Sequence, residues 1–378
     1  MTEYRIKRLW DQLSADYDAS KDLPVGAEYL TEEALLSYGC VRDGHKETHG
    51  THTLGIAAGS GYTTDYRGLA WESDICLVAN ATSSDKEFIA EEDRYKYTSA
   101  TDALGFKYIF DYAQSVGKPC VISFSEGAKQ DLYGDDKLFY EVLDSLTGPG
   151  RILVASAGNN GDTYVHFHKP AGQLSQGTFV IGTDENVYFQ MKSAEPFTIR
   201  TVVYSEHPDT VLIESAWPIA AADSVYTDTL DLADGRYEFT VAGYPSCYDP
   251  SEYAYEMLIT APRQIGLATP VSVEIVGSEA DAHFFLTSGY MTTNGKNSNL
   301  IAGDHYYSIL SPGSSPAAIC VGATSYRTGF VNYKGERIKF NCGEKGERGP
   351  YSSMGPTFDG RVKPDVMAPG TNVTSARS

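Results

Sequence analysis

No apolar run in this 378-residue chain approaches the roughly 18 residues that a membrane-spanning helix needs. Basic residues are scarce: 30 Lys and Arg stand against 50 Asp and Glu, a formal charge of −20. That excludes a nucleic-acid partner, because phosphate binding needs a basic face. Cysteine is thin as well. Cys40, Cys76, Cys120, Cys247, Cys320 and Cys342 share no C-x-x-C spacing, so neither a zinc ribbon nor a disulfide framework is indicated. Cys76, Cys120 and Cys320 sit in apolar runs, where a thiol behaves as a small hydrophobe. H-E-x-x-H is also missing, which removes the zinc-protease reading of His45, His49 and His52, and no metal ligand is assigned to them or to the pair His166 and His168. Met1 to Arg5 do not begin a signal-peptide pattern.

What is present describes a globular protein, with 42% hydrophobic and 12% aromatic residues. Four runs, Asp74 to Ala79, Pro119 to Phe124, Arg151 to Ser156 and Ala318 to Ala323, are almost continuously aliphatic, as fully buried strands of a parallel sheet are. Helical spacing fills the gaps between the first three, over about Thr98 to Ser115 and Asp136 to Leu146. These are βαβ units.

The third and fourth runs are too far apart for an ordinary crossover, so the stretch between them should hold a domain of its own. Its period changes. Thr178 to Ile181, Phe197 to Tyr204, Thr210 to Glu214, Tyr237 to Val241, Tyr255 to Ile259, Val271 to Ile275 and His283 to Thr287 read as short strands, rich in aromatics and separated by Gly, Pro and Asp. That is the pattern of a β-sandwich or jelly roll. The expected division is 1–162 and 307–378 for the α/β core, with 163–306 inserted.

Three motifs carry chemistry. Thr48-His49-Gly50-Thr51-His52, followed by Leu54 to Gly59, reads as a histidine at the mouth of a helix of small residues. An interior glycine costs about 1 kcal/mol relative to alanine, so Gly50, Gly55 and Gly59 point to an element that approaches closely. An imidazole anchored there suits a general base, and His52, one turn on, reads as a hydrogen-bonded core residue. Val154 to Gly161 ends a buried strand and presents Asn159, whose side-chain N–H can donate to a developing oxyanion. Asn-Gly pairs are also ordinary turn formers. Val121 to Gly127 ends a third strand in Ser125, Glu126 and Gly127.

Taken in register, these motifs resemble those of the subtilisin-like serine proteases, the subtilases. Tyr351 to Thr357, continuing through Asp359 to Gly370, is similar to the segment that precedes the nucleophile in that family, and Ser311 to Ala323 to the strand leading there. The position of the insert, just after Asn159, and the run Arg5 to Gln12 are similar to the jelly-roll-containing Csp-type subgroup. The resemblance implies an α/β fold, a parallel sheet with helices on both faces, plus an inserted all-β domain. It implies an endopeptidase working through an Asp-His-Ser triad, with His49 as base and Asn159 in the oxyanion hole. Ser125, Glu126, Gly127, Ala157 and Gly158 would bind the substrate backbone. Glu126 departs from the usual apolar residue; it would favour basic substrate side chains or simply be solvated.

The same resemblance implies peptide or protein substrates, a propeptide as a candidate partner, no required cofactor, and a secreted, cell-envelope or spore-associated location. Calcium is common in the family, but no D-x-D-x-D-G loop places a site here. The D-[ST]-G and G-T-S-M-A motifs are not among the 378 residues. Asp11, Asp16 and Asp18 lack the following glycine, and Ser375 and Ser378 lie only on the approach. The expectation is an incomplete catalytic domain, inactive alone and unstable through uncovered apolar surface. One rival is a non-catalytic subtilase-fold protein that binds peptides or partners; another places function in the insert, binding glycan or protein.

Overall fold

A computed structural model describes residues 4–18, 20–44, 48–62, 66–204, 211–219 (backbone only), 224–340 and 342–376. His45, Thr210 and Ser378 lie outside the described residues. The first part of the chain runs β1 (Ile6–Asp11), β2 (Ala27–Tyr29), α1 (Glu32–Tyr38), α2 (His49–Ala58), β3 (Ile75–Ala79), α3 (Ser99–Ser115), β4 (Cys120–Phe124), α4 (Asp135–Leu146) and β5 (Arg151–Ser156). Thr98 starts α3 as a capping box, its hydroxyl accepting from the helix N-terminus while Thr101 reaches back. Ala103, Phe106 and Phe110 of α3 then pack with Phe139 and Leu143 of α4 over Ile122 and Leu153 of the strands. Each large aliphatic or aromatic group so buried contributes about 1.5–3 kcal/mol.

The described residues next build eleven antiparallel strands: β6 (His166–Lys169), β7 (Ser175–Ile181), β8 (Asn186–Ser193), β9 (Phe197–Tyr204), β10 (Val211–Ile219), β11 (Ser224–Leu232), β12 (Gly235–Pro245), β13 (Tyr253–Thr260), β14 (Val271–Val276), β15 (Ala282–Ser288) and β16 (Tyr290–Thr292). They form two sheets, β10-β9-β14-β7-β16 and β11-β12-β13-β8-β15-β6. Alternation decides the packing. Val271, Val273 and Ile275 of one sheet meet Phe189, Met191, Phe284 and Met257 of the other in one dry core. The two ends of this insert lie side by side, since Val165 N and His166 N both donate to Asp304 O.

The α/β part resumes with β17 (Ala318–Ser325), a small hairpin of β18 (Gly329–Val331) and β19 (Arg337–Lys339), and β20 (Val366–Thr371). The run from Asp359 to Gly370 is docked onto β17. Buried Lys363 donates to Ala318 O at 2.9 Å and to Asp365 at 2.7 Å, and the Asp365 carboxylate accepts Cys320 N at 2.7 Å.

One expectation is corrected. The four aliphatic runs do not share a sheet: β3 belongs to a three-stranded sheet, β2-β1-β3, and the other three to β20-β17-β5-β4. β3 pairs with β1 in parallel, and α3 packs against both β3 and β4 without bringing their edges together. Continuous apolar composition signals burial; it does not name a strand's partner. A second feature follows from the same architecture. Val121, Ile152 and Ile319 on β4, β5 and β17 are 64%, 39% and 42% exposed, so one face of a parallel sheet stands uncovered by the described residues.

Candidate active site

His49 is the first residue of α2 and is exposed. Among the described residues, none hydrogen-bonds to its ring. The glycines below it have separable reasons. A Cβ on Gly55 would lie 2.3 Å from Ser375 Oγ and 3.1 Å from Ala376 Cβ, because the segment after β20 crosses the helix there. Gly59 is met by the backbone of Gly68, which donates to its carbonyl at 2.8 Å. Gly50 has nothing within 4 Å. The half-buried His52 ring meets Val373 O at 3.2 Å, as a hydrogen-bonded structural histidine does.

Asn159 stands exposed just beyond the C-terminal end of β5. The loop that presents it is held on both sides. Ala157 N donates to Val321 O, Leu310 N to Ala157 O, Ser353 N to Gly158 O, and Asn160 N to the Ser353 hydroxyl at 2.9 Å. Gly158 has φ +105°, and a Cβ there would sit 2.5 Å from Leu310 Cγ. Ser125 is exposed and Glu126 and Gly127 half-buried after β4. Ala128 and Ser311 exchange backbone hydrogen bonds of 2.9 and 2.7 Å, and a Cβ on Gly127 would meet Leu310 Cβ at 2.8 Å. Leu310 therefore packs against both Gly127 and Gly158, between the segments that follow β4 and β5.

The electrostatics centre on the ends of β3 and β4. Asn80, directly after β3, donates to Glu126 at 2.5 Å. Burial raises the Glu126 pKa, against the Asn80 hydrogen bond; Asp85 raises it further and the nearby His49 lowers it. Asp102 on α3 is pushed up to about 7, first by burial and then by the Glu126 charge, with Asn80 opposing. Glu126 is thus half-buried and hydrogen-bonded by Asn80.

His49 acts electrostatically on Glu126, and Ser125 to Gly127 and the loop of Ala157, Gly158 and Asn159 follow the C-terminal ends of the neighbouring strands β4 and β5, where α/β sheets place their chemistry. The structure assigns other work to several residues near the motifs. Fully buried Asp11 accepts from Leu13 N, the Tyr38 hydroxyl and Arg42 N, leaving it no role at His49. Asp16 accepts from Tyr29 and Asp18 from Ser20 N. Ser352 and Ser353 are buried, and their hydroxyls accept from Ala323 N and Asn160 N. Sequence reasoning missed Asn80, Asp102 and Leu310. A polar residue at the end of a parallel strand was a usable signal for Asn80; nothing local distinguishes Leu310.

A family model for the subtilases (Peptidase_S8: Subtilase family) matches residues 39–243 and 289–378. The chain belongs to the subtilase family. Among solved structures, this subtilase is similar to the CspB protease of Clostridium perfringens, with a TM-score of 0.67 and 17% identity over 99% of this chain and 71% of that one. The break between the two family-matched stretches, 244–288, falls inside the inserted β domain. Two Dictyostelium discoideum proteins named serine protease/ABC transporter B family proteins tagB and tagD share short stretches with it. The first is 67% identical over 30 residues, 8% of this subtilase; the second is 68% identical over 28 residues, 7% of it. Each match spans 2% of the curated relative's length. No described helix is long and apolar enough to cross a membrane.

Proposed function

We propose that this protein is a serine endopeptidase in which His49 is the general base and Asn159 donates to the oxyanion. What supports the reading is the subtilase family match together with an exposed His49 imidazole whose charge acts on Glu126 after β4, and an exposed Asn159 amide just beyond the neighbouring strand β5. The backbone of Ser125 to Gly127 and of Ala157 and Gly158 would pair with an extended peptide from two sides, with Leu310 setting the width. The carboxylate partner of His49 and the serine nucleophile are not among the described residues, and we assign them to the D-[ST]-G and G-T-S-M-A motifs of the complete enzyme. The edges of β3 and β4, which pair with no further strand among the described residues and are linked by the Asn80–Glu126 hydrogen bond and by α3, fit a strand that brings the first of these. Acyl transfer of this kind needs no cofactor. Within this reading the insert spans 163–306 between core parts 1–162 and 307–378, and the enzyme acts on proteins outside the cytoplasm.

The test is labelling of the natural protein with a fluorophosphonate, together with hydrolysis of casein and peptides. One labelled serine and turnover are expected. His49→Ala should cut kcat about a millionfold and Asn159→Ala about 10²–10³-fold; both magnitudes were measured in subtilisin, a member of this family. The 378-residue chain alone is expected to give neither label nor turnover. The free His49 ring also favours a second reading, a non-catalytic peptide-binding subtilase. Saturable peptide binding without labelling, in a protein that carries both missing motifs, would decide for it.

A further inference from the structure

The inserted domain carries a cluster of imidazoles that the proteolytic reading does not use. His168 of β6 and His283 of β15 are direct cross-strand partners, and their rings stack with centroids 4.4 Å apart. Asp281, just before β15, faces His168 with 2.6 Å between Oδ1 and Nε2. One ligand atom from each of His168, Asp281 and His283 lies within 4.8 Å of the others. Behind them is a polar chain. Nδ1 of buried His166 sits 3.0 Å from both carboxylate oxygens of Asp304, and its Nε2 is 2.8 Å from Nδ1 of His283.

That chain fixes the tautomers. A ring nitrogen shared between two carboxylate oxygens carries a proton, so His166 donates from Nδ1, and in that single-proton tautomer its Nε2 accepts. His283 must then donate from Nδ1, which leaves its Nε2 lone pair free. A histidine whose second nitrogen is held by an outer partner is how metal-binding imidazoles are oriented.

We propose that His168, Asp281 and His283 form a binding site for a divalent first-row transition ion such as zinc, with His166 and Asp304 as its outer support. Two imidazoles and one carboxylate suit such an ion, and the fourth position falls to water. Ligand atoms around a tetrahedral ion at about 2.0–2.1 Å stand roughly 3.3 Å apart, so on binding the ligand atoms, now within 4.8 Å, draw together and one of the stacked rings turns towards the ion. Binding replaces the hydrogen bond between His168 and Asp281 with a bond from each to the ion. The neighbouring Lys192 cation is compensated by Glu252 at 3.0 Å. Access is open: the His168 and Asp281 side chains are 40% and 58% exposed. The absence of any H-E-x-x-H motif did not bear on this site, because its ligands come from strands more than a hundred residues apart.

The test is competition for Zn²⁺ between a chromophoric chelator and the EDTA-stripped protein. One ion per chain is expected. His168→Ala and Asp281→Ala, both at exposed positions that leave the core intact, should each weaken binding at least tenfold. His166→Gln should weaken it about 10–100-fold through lost orientation alone. Co²⁺ should give the visible absorption of a four-coordinate site, and lose it in His283→Ala. No saturable binding by the unmodified protein would overturn the proposal. So would zinc that persists in the His168→Ala, Asp281→Ala double variant and leaves in His49→Ala, which would place the ion at the candidate active site.

Discussion

Asn80 donates to Glu126 at 2.5 Å, and this hydrogen bond joins the two sheets of the α/β core at their C-terminal edges. Its neighbour Asp102 has no counter-charge among the causes that set its pKa, only burial, the Glu126 carboxylate and the Asn80 amide. The junction between the sheets is therefore a place where negative charge is concentrated and desolvated. Nothing in the composition shows this; an overall charge of −20 says only that acids are plentiful.

Stability should fall as pH rises through the neutral range because of Asp102. Its folded pKa of about 7 lies above the ordinary carboxylate value of about 3.9. Between these, the unfolded chain has lost the proton and the folded chain keeps it, so the contribution is complete below about pH 4 and gone above about 7. At 1.36 kcal/mol per unit the swing is at most about 4 kcal/mol. Asp102→Asn should flatten the profile and exceed the unmodified protein in stability at pH 8. Urea midpoints at pH 5 and pH 8 decide it; parallel shifts of both proteins would remove Asp102 from the account.

The two helix glycines should respond in opposite directions. Gly50→Ala adds a methyl to open space and gains helix propensity, up to about 1 kcal/mol. Gly55→Ala gains the same propensity but drives its Cβ against Ser375 and Ala376, and overpacking of this kind costs about 1–3 kcal/mol. The expected order of melting temperatures is Gly50→Ala, unmodified, Gly55→Ala. Equal stabilisation by both would mean that the segment after β20 does not lie on α2.

How much of this was legible beforehand depended on whether the signal was local. The strand Arg151–Ser156 and the helices Ser99–Ser115 and Asp135–Leu146 follow from short-range pattern, and their bounds agree within a residue. β6 escaped because His166-Phe167-His168-Lys169 reads as polar; its two histidines face partners on β15 that only the fold supplies. β11 escaped because it lies at a sheet edge with most of its residues solvated. At the site, His49 and Asn159 stand in recognisable motifs. Leu310 acts through its distance from Gly127 and Gly158, and distance across 150 residues leaves no mark in sequence.

Asn159 and Gly158, although adjacent, should separate function from stability. Asn159 is exposed, so its change to Ala should move stability by no more than about 0.5 kcal/mol. Gly158→Ala must hold a left-handed φ and displace Leu310, a cost of order 1–3 kcal/mol. Chemical unfolding of the two variants should show the loss in Gly158→Ala alone. A comparable loss in Asn159→Ala would mean that its amide supports the loop instead of facing a substrate.

The exposed sheet face makes the last prediction. Val121 and Ile152 are register partners, and Ile319 lies beyond them on β17, all on the side that the described residues leave open. A parallel sheet with an uncovered face is an invitation to self-association, since the apolar area there gains about 25 cal/mol per Å² on being covered. Exposed residues contribute little to the fold, so Ile152→Ser with Ile319→Ser should leave the unfolding midpoint of the 378-residue chain within about 1 kcal/mol. The same pair should reduce dye binding and light scattering. If the proposed serine-bearing helix covers this face, the double change should instead be destabilising in a protein that carries that helix, by about 1.5–3 kcal/mol per buried side chain. Equal, small effects in both proteins would show that such a helix leaves the face open, and the proposed nucleophile would then have to be sought on another side of the sheet.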